Sequence, residues 1–161
     1  MKAIKIILKN YDLFNDDPVE GVSIGMSDDN IFNWDILILG PKDSPYEGGI
    51  FKAKLIFPNN FPLYPPDFKF NTKIFHPNIY KDGKVCISIL HPPGDDKWGY
   101  EKAEERWRPV HSVNSILLSI ISLLSSPNDE SPANIDAGKI WRDDKLKFQE
   151  IVNQCVRNSL E

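Results

Sequence analysis

Prolines restrict this chain more than any other feature. Between residues 58 and 92 it carries Pro58, Pro62, Pro65, Pro66, Pro77 and Pro92. A ring that fixes φ and removes an amide donor makes regular helix unfavourable through that span. Ordered irregular backbone is expected there, and functional side chains often sit on such segments. The repeating elements are read on either side of it.

On the amino-terminal side, residues 2 to 14 place Ile4, Ile7, Leu8, Tyr11 and Phe14 at helical spacing, with Lys2, Lys5 and Lys9 on another face. This predicts an amphipathic helix with a basic side. Period-two patterning follows in Val22, Ile24 and Met26, in Phe32, Trp34, Ile36 and Ile38, and in Phe51, Ala53, Leu55 and Phe57 against Lys52 and Lys54. Turn residues separate these runs at Ser27-Asp28-Asp29-Asn30 and Gly40-Pro41-Lys42-Asp43-Ser44-Pro45. The economical arrangement is an antiparallel meander.

On the carboxy-terminal side, residues 91 to 106 hold Asp95, Asp96, Glu101, Glu104 and Glu105 against Lys97, Lys102 and Arg106, a mildly acidic loop expected to be exposed. Ser112 is the expected N-cap of a helix whose Val113, Leu117, Ile120 and Leu124 form one stripe. At ~100° per residue, Leu118 and Ser122 lie about 140° and 180° from Val113, off that stripe. After a turn around residues 127 to 132, a short helix to Trp141 is expected. A last helix follows with Phe148, Ile151, Val152 and Cys155 on one side, the thiol of Cys155 assigned to core packing.

A length of 161 residues, 41% of them hydrophobic, suits one domain spanning residues 1–161. The formal charge of −4 gives no basic field of the kind nucleic-acid binding requires, so a protein or peptide partner is expected and a nucleic acid is not. The two cysteines lie far apart in unlike surroundings, a poor disulfide framework that fits a reducing compartment. Lys2, Lys5 and Lys9 interrupt any signal-like run, and the apolar stretch at 115 to 126 falls short of the ~20 residues that span a bilayer. A soluble, cytoplasmic protein without direct membrane insertion is expected.

The three histidines, His76, His91 and His111, and Cys86 lack zinc-site spacing, so no metal is expected. Cys86 stands between Val85 and Ile87, with no glycine-flanked helix start and no legible local device for lowering its pKa. The residues alone leave Cys86 either a buried apolar side chain or the nucleophile of a thiol hydrolase with His76 or His91 as its base.

The run His76-Pro77-Asn78-Ile79-Tyr80-Lys81-Asp82-Gly83-Lys84-Val85-Cys86-Ile87 resembles the active-site signature of ubiquitin-conjugating enzymes. Pro62-Leu63-Tyr64-Pro65-Pro66, Trp107 with Pro109, and Ser126-Pro127-Asn128 follow the same family's order, so the resemblance covers nearly the whole chain. His91-Pro92-Pro93-Gly94-Asp95-Asp96 and Gly99-Tyr100-Glu101 resemble a subgroup with an acidic insertion beyond the cysteine, and with Trp141-Arg142-Asp143-Asp144 the branch serving endoplasmic-reticulum-associated degradation.

That resemblance implies an α+β fold: an amino-terminal helix, a four-stranded antiparallel meander, an active-site loop region, a central helix and two carboxy-terminal helices. It implies that Cys86 accepts ubiquitin from an activating enzyme as a thioester and surrenders it to a lysine amine, with a RING-type ligase as partner. ATP is consumed upstream, so no cofactor is implied, and the chain is expected to be a monomer. A thioester already has a good leaving group, so a base beside the cysteine matters less than in amide hydrolysis.

Asn78 is either the amide that stabilises the developing oxyanion, by roughly 3 kcal/mol, or a brace for the loop. His76 reads as a structural hydrogen-bonder rather than a base. Where many members carry acids near the cysteine, this chain has Ser88 and Ser131. Asp95, Asp96 or Glu105 of the insertion are the expected substitutes that attract the lysine, with His91 shaping the loop; the alternative is a plainly solvated loop. By the same resemblance, Leu63, Pro109 and Val110 form the ligase-docking patch and Leu118 and Ser122 touch the thioester-linked ubiquitin. The basic first helix meets the activating enzyme. A noncatalytic adaptor with this fold is disfavoured by the presence of Cys86.

Overall fold

The structure, a computed structural model, describes residues 2–27 and 29–161. Helix α1 (Lys2–Asp16) leads into strands β1 (Val22–Ser27), β2 (Asn30–Leu39), β3 (Ile50–Ile56) and β4 (Asp67–Phe70). A long irregular region follows, broken only by single 3-10 turns at Ser88–Leu90 and Ala103–Glu105. Helices α2 (Val113–Ser125), α3 (Ile135–Asp143) and α4 (Lys145–Ser159) close the chain. The strands pair antiparallel in the order β1-β2-β3-β4, so the α+β meander expected from the sequence is the fold observed.

Alternation puts Trp34, Ile36, Ile38, Phe51, Ala53, Leu55, Phe68 and Phe70 on one buried face. Asp35, Lys52 and Lys69 alternate with them and are exposed. Edge-on aromatic contacts run from Trp34 through Phe57 to Phe61, and Trp107 lies 5.8 Å beyond. The Trp107 indole donates to Pro62 O at 2.8 Å, which satisfies its buried N–H and ties the chain after the acidic insertion to the proline-rich turn.

Strand β4 lies inside the proline-dense span, where the sequence pattern predicted irregular backbone. Its residues fall in the proline-free stretch between Pro66 and Pro77, leaving every amide available. Its outer edge is covered by the segment that leads to Cys86: Phe70 N donates to Gly83 O at 2.8 Å and Val85 N to Phe68 O at 3.0 Å. Only glycine fits at residue 83, because its φ is +101° and an added Cβ would stand 2.0 Å from Phe70 O. The turn expected at residues 27 to 30 includes Asp28, which lies outside the described residues.

Helix α1 buries Ala3, Ile7, Asn10 and Phe14, a stripe rotated away from the one read in the sequence, and leaves Leu8 40% exposed. Asn10 accounts for the rotation. Its Oδ1 accepts from Val113 N at 3.0 Å while its Nδ2 donates to Ile6 O at 2.9 Å, so a polar residue faces inward to cap α2. Ser112 adds the expected N-cap, accepting from Ser115 N at 3.2 Å. The apolar stripe of α2 is buried as predicted, with Ile116 added, whereas Leu118 is 56% exposed and Ser122 is exposed. In α4, Phe148, Val152 and Cys155 face the core.

Candidate active site

Cys86 follows directly on the pairing with β4, and its amide donates to Asn78 O at 2.9 Å. The His-Pro-Asn triplet and the cysteine are thereby neighbours in space. His76 is wholly buried, its Nδ1 accepting from Asn78 N at 2.9 Å and its Nε2 facing Leu123 O at 2.7 Å. Those partners assign the proton to Nε2. Burial, against the bond to Leu123, lowers its pKa to about 4. His76 is neutral and fully committed, so it has no free nitrogen to act as a base.

Asn78 is engaged through both polar atoms of its side chain. Its Nδ2 donates to Asn128 O at 2.7 Å and its Oδ1 accepts from Asn128 N at 2.8 Å. The side chain thus clasps the turn after α2, the bracing arrangement, while the second hydrogen on Nδ2 remains a spare donor.

The acidic insertion supplies a contact to the sulfur itself. His91 Nε2 lies 3.7 Å from Cys86 Sγ, and His91 Nδ1 lies 2.9 Å from each oxygen of Glu101. Ser88 Oγ donates to Glu101 at 2.6 Å, and Arg106 Nε is 3.5 Å from its other oxygen. The hydrogen bond from His91 lowers the Cys86 pKa and outweighs the opposing effect of burial. The same bond, with support from Glu101, raises the pKa of His91 to about 9. For Glu101, burial works against charge, but bonds from Ser88 and His91 and the nearby cations hold the carboxyl below its ordinary value. A sulfur–imidazole–carboxylate array results, in which the imidazole bond favours the thiolate form of Cys86.

This corrects the sequence reading, which found no device beside Cys86 for lowering its pKa. Glu101 was counted there only as one acid of the insertion. It completes the chain from the far side of a turn that Asp96 organises by accepting from Trp98 N, Tyr100 N and Glu101 N at 2.9 to 3.0 Å. Asp95 is exposed, and Glu105 borders a separate hollow with Ser88, His111 and Ser119, so Glu101 is the insertion carboxylate found against His91. Ser88, which stands where many family members carry an acid, holds that carboxylate; Ser131 is exposed. Tyr80, another residue not singled out, is close enough for the Cys86 charge to raise its pKa.

A cleft of about 320 Å³ opens beside the sulfur, bounded by Tyr64, Tyr80, Leu90, His91 and Pro92. Leu63, Pro109 and Val110 are all exposed, and the Trp107 bond to Pro62 brings their two segments side by side. No group of three or more His, Cys, Asp or Glu disposed to hold a metal occurs among the described residues. No helix among them is long and apolar enough to cross a membrane.

Comparison with known proteins bears on this arrangement directly. The family model described as ubiquitin-conjugating enzyme matches residues 6–156. The chain belongs to that family. It is 59% identical over 145 residues to ubiquitin-conjugating enzyme E2 14 of Arabidopsis thaliana, covering 89% of this chain and 87% of that protein. It is 56% identical over 161 residues to E2 15 of Schizosaccharomyces pombe, covering 99% and 92%. To human E2 G2 it is 52% identical over 159 residues, covering 98% and 96%. This conjugating enzyme is therefore a ubiquitin transferase, whose partners as a family member are ubiquitin, an activating enzyme and a ligase.

Proposed function

We propose that Cys86 is the residue that carries ubiquitin, as a thioester received from the activating enzyme, and that it gives the acyl group to a lysine amine. The observation carrying this is that half-buried Cys86 lines an open cleft with His91 Nε2 against its sulfur and Glu101 against His91. Attack by the amine places negative charge on the thioester oxygen, and the unused hydrogen of Asn78 Nδ2 is the donor for it. His76 supports that donor by holding the Asn78 backbone.

Residues 1–161 act as one catalytic domain, without a cofactor of their own, because ATP is spent upstream. Leu63, Pro109 and Val110 receive a RING-type ligase, an assignment supported by their exposure on adjoining segments. Leu118 and Ser122 on the open face of α2 receive the linked ubiquitin. Likeness to E2 G2 and the acidic insertion support a role in protein degradation, with a monomeric cytoplasmic enzyme recruited to the endoplasmic-reticulum surface by a partner.

Incubation with ubiquitin, activating enzyme and ATP is expected to yield an adduct that thiols remove and that Cys86→Ala lacks. No adduct under conditions that charge a control conjugating enzyme would overturn the assignment.

A further inference from the structure

Sulfur, imidazole and carboxylate stand in the order of a proton-transfer relay. Nε2 of His91 is 3.7 Å from Cys86 Sγ, Nδ1 is 2.9 Å from both Glu101 oxygens, and Glu101 is fixed in turn by Ser88 and Arg106. Transfer to lysine makes little use of such a relay: once an amine has lost its proton to water it attacks a thioester unaided. An alcohol differs. It keeps its proton at every accessible pH and is a weak nucleophile unless a positioned base removes that proton as the new bond forms. The cleft beside Cys86 and His91 has room for a small hydroxyl-bearing side chain.

Building on the reading that Cys86 carries the acyl group, we propose that this enzyme also transfers ubiquitin to aliphatic hydroxyls of the serine and threonine class, with His91 as the base and Glu101 as its positioning residue. Acylation of Cys86 removes the sulfur's hydrogen bond, the first cause of His91's proton retention in the free enzyme, and with it the lesser effect of the sulfur's charge, so Nε2 is freed toward an acceptor while Glu101 still holds Nδ1. The acceptor oxygen then bonds to the thioester carbon while its proton moves to Nε2. Collapse breaks the C–S bond and the sulfur leaves as thiolate. The products are an oxyester, the Cys86 thiolate and the His91 imidazolium that holds the transferred proton, with no proton left over and no oxidant or reductant needed. Cys86 and Glu101 are the ionisable groups bonded to His91 in this step; Tyr80 stands against Cys86, Arg106 against Glu101, and Tyr64, Asp67 and Lys84 line the same cleft.

The test loads the enzyme with ubiquitin, stops the activating enzyme, and follows discharge to Nα-acetyl-threonine amide and, separately, to Nα-acetyl-lysine. Wild type is expected to form a threonine adduct that resists thiols and is cleaved by neutral hydroxylamine, whereas the lysine adduct resists both. In loaded His91→Gln, ester formation falls about a hundredfold, the low end for a positioned base, and by a clearly larger factor than lysine discharge, which loses only the imidazole's help to the leaving thiolate. Glu101→Gln lowers the ester rate and shifts the midpoint of its pH profile, which a residue that only shapes the loop would not do. Two results overturn the proposal: wild type discharging to lysine but forming no ester, or His91→Gln slowing both acceptors equally. Failure of wild type to load at all would sink the Cys86 assignment instead, a distinct outcome.

Discussion

The two flanks of Cys86 are built on opposite principles. On one, His76 and Asn78 are almost wholly buried, and their side chains bond to backbone atoms of Leu123, Asn78 and Asn128. On the other, His91 and Ser88 bond side chain to side chain with Glu101, and Arg106 adds an ion pair, at the root of a loop whose Trp98 and Tyr100 are exposed. Backbone partners fix a shape and are insensitive to which loop residues surround them. Side-chain partners near an ionisable sulfur fix a protonation state. The difference teaches that one flank holds the site in place and the other sets the chemistry of its thiol.

The largest effect that would break this contrast belongs to Asn78→Ala. Losing both bonds to Asn128 costs roughly 1 to 3 kcal/mol of stability, and losing the spare donor slows lysine discharge about a hundredfold. Thermal melts and single-turnover discharge read the two. Unchanged stability with slowed discharge would make Asn78 a donor without a bracing role, and equal slowing of loading and discharge would make it a brace alone.

Next in size is the pH response of the buried flank. His76 titrates at about 4 in the folded chain against 6.5 unfolded, so between those values the unfolded state binds more protons. Its contribution to stability is present above pH 6.5 and is lost as pH falls, about 3 kcal/mol by pH 4. Histidine NMR titration should show one ring ionising near 4 and another, His91, near 9. A His76 signal titrating at its ordinary value would remove the division between the flanks.

A smaller effect is expected at the exposed surfaces. Leu118→Asp and Val110→Asp should leave thermal stability within about 0.5 kcal/mol, as surface changes do. Ligase-stimulated discharge should fall several-fold. A melt depressed by more than that would place these side chains in the core rather than at an interface.

The flanks also differ in how much the sequence disclosed. Alternation and helical spacing located β1 to β3 and the apolar stripe of α2, because burial of one face imposes those periods. The brace around Asn78 was half legible: the triplet pointed to it, but Asn128 lies 50 residues on and no local pattern ties the two. Asn10 was missed because an inward polar side chain violates the period used to find the helix face, and its partner is Val113 N, 103 residues away. β4 was hidden among prolines. The relay was least legible of all, since Glu101 reaches His91 only through the turn that Asp96 organises, and loop partners follow no period. Composition placed acids near the cysteine without saying which one arrives.

The division of labour is tested most directly by the pH dependence of Cys86 alkylation, using iodoacetamide on Cys155→Ser protein, in wild type and His91→Gln. A hydrogen bond from His91 holding the thiolate predicts a wild-type midpoint below that of an ordinary thiol, and a return toward the ordinary value when the imidazole is removed. Coincident profiles in the two proteins would contradict the account.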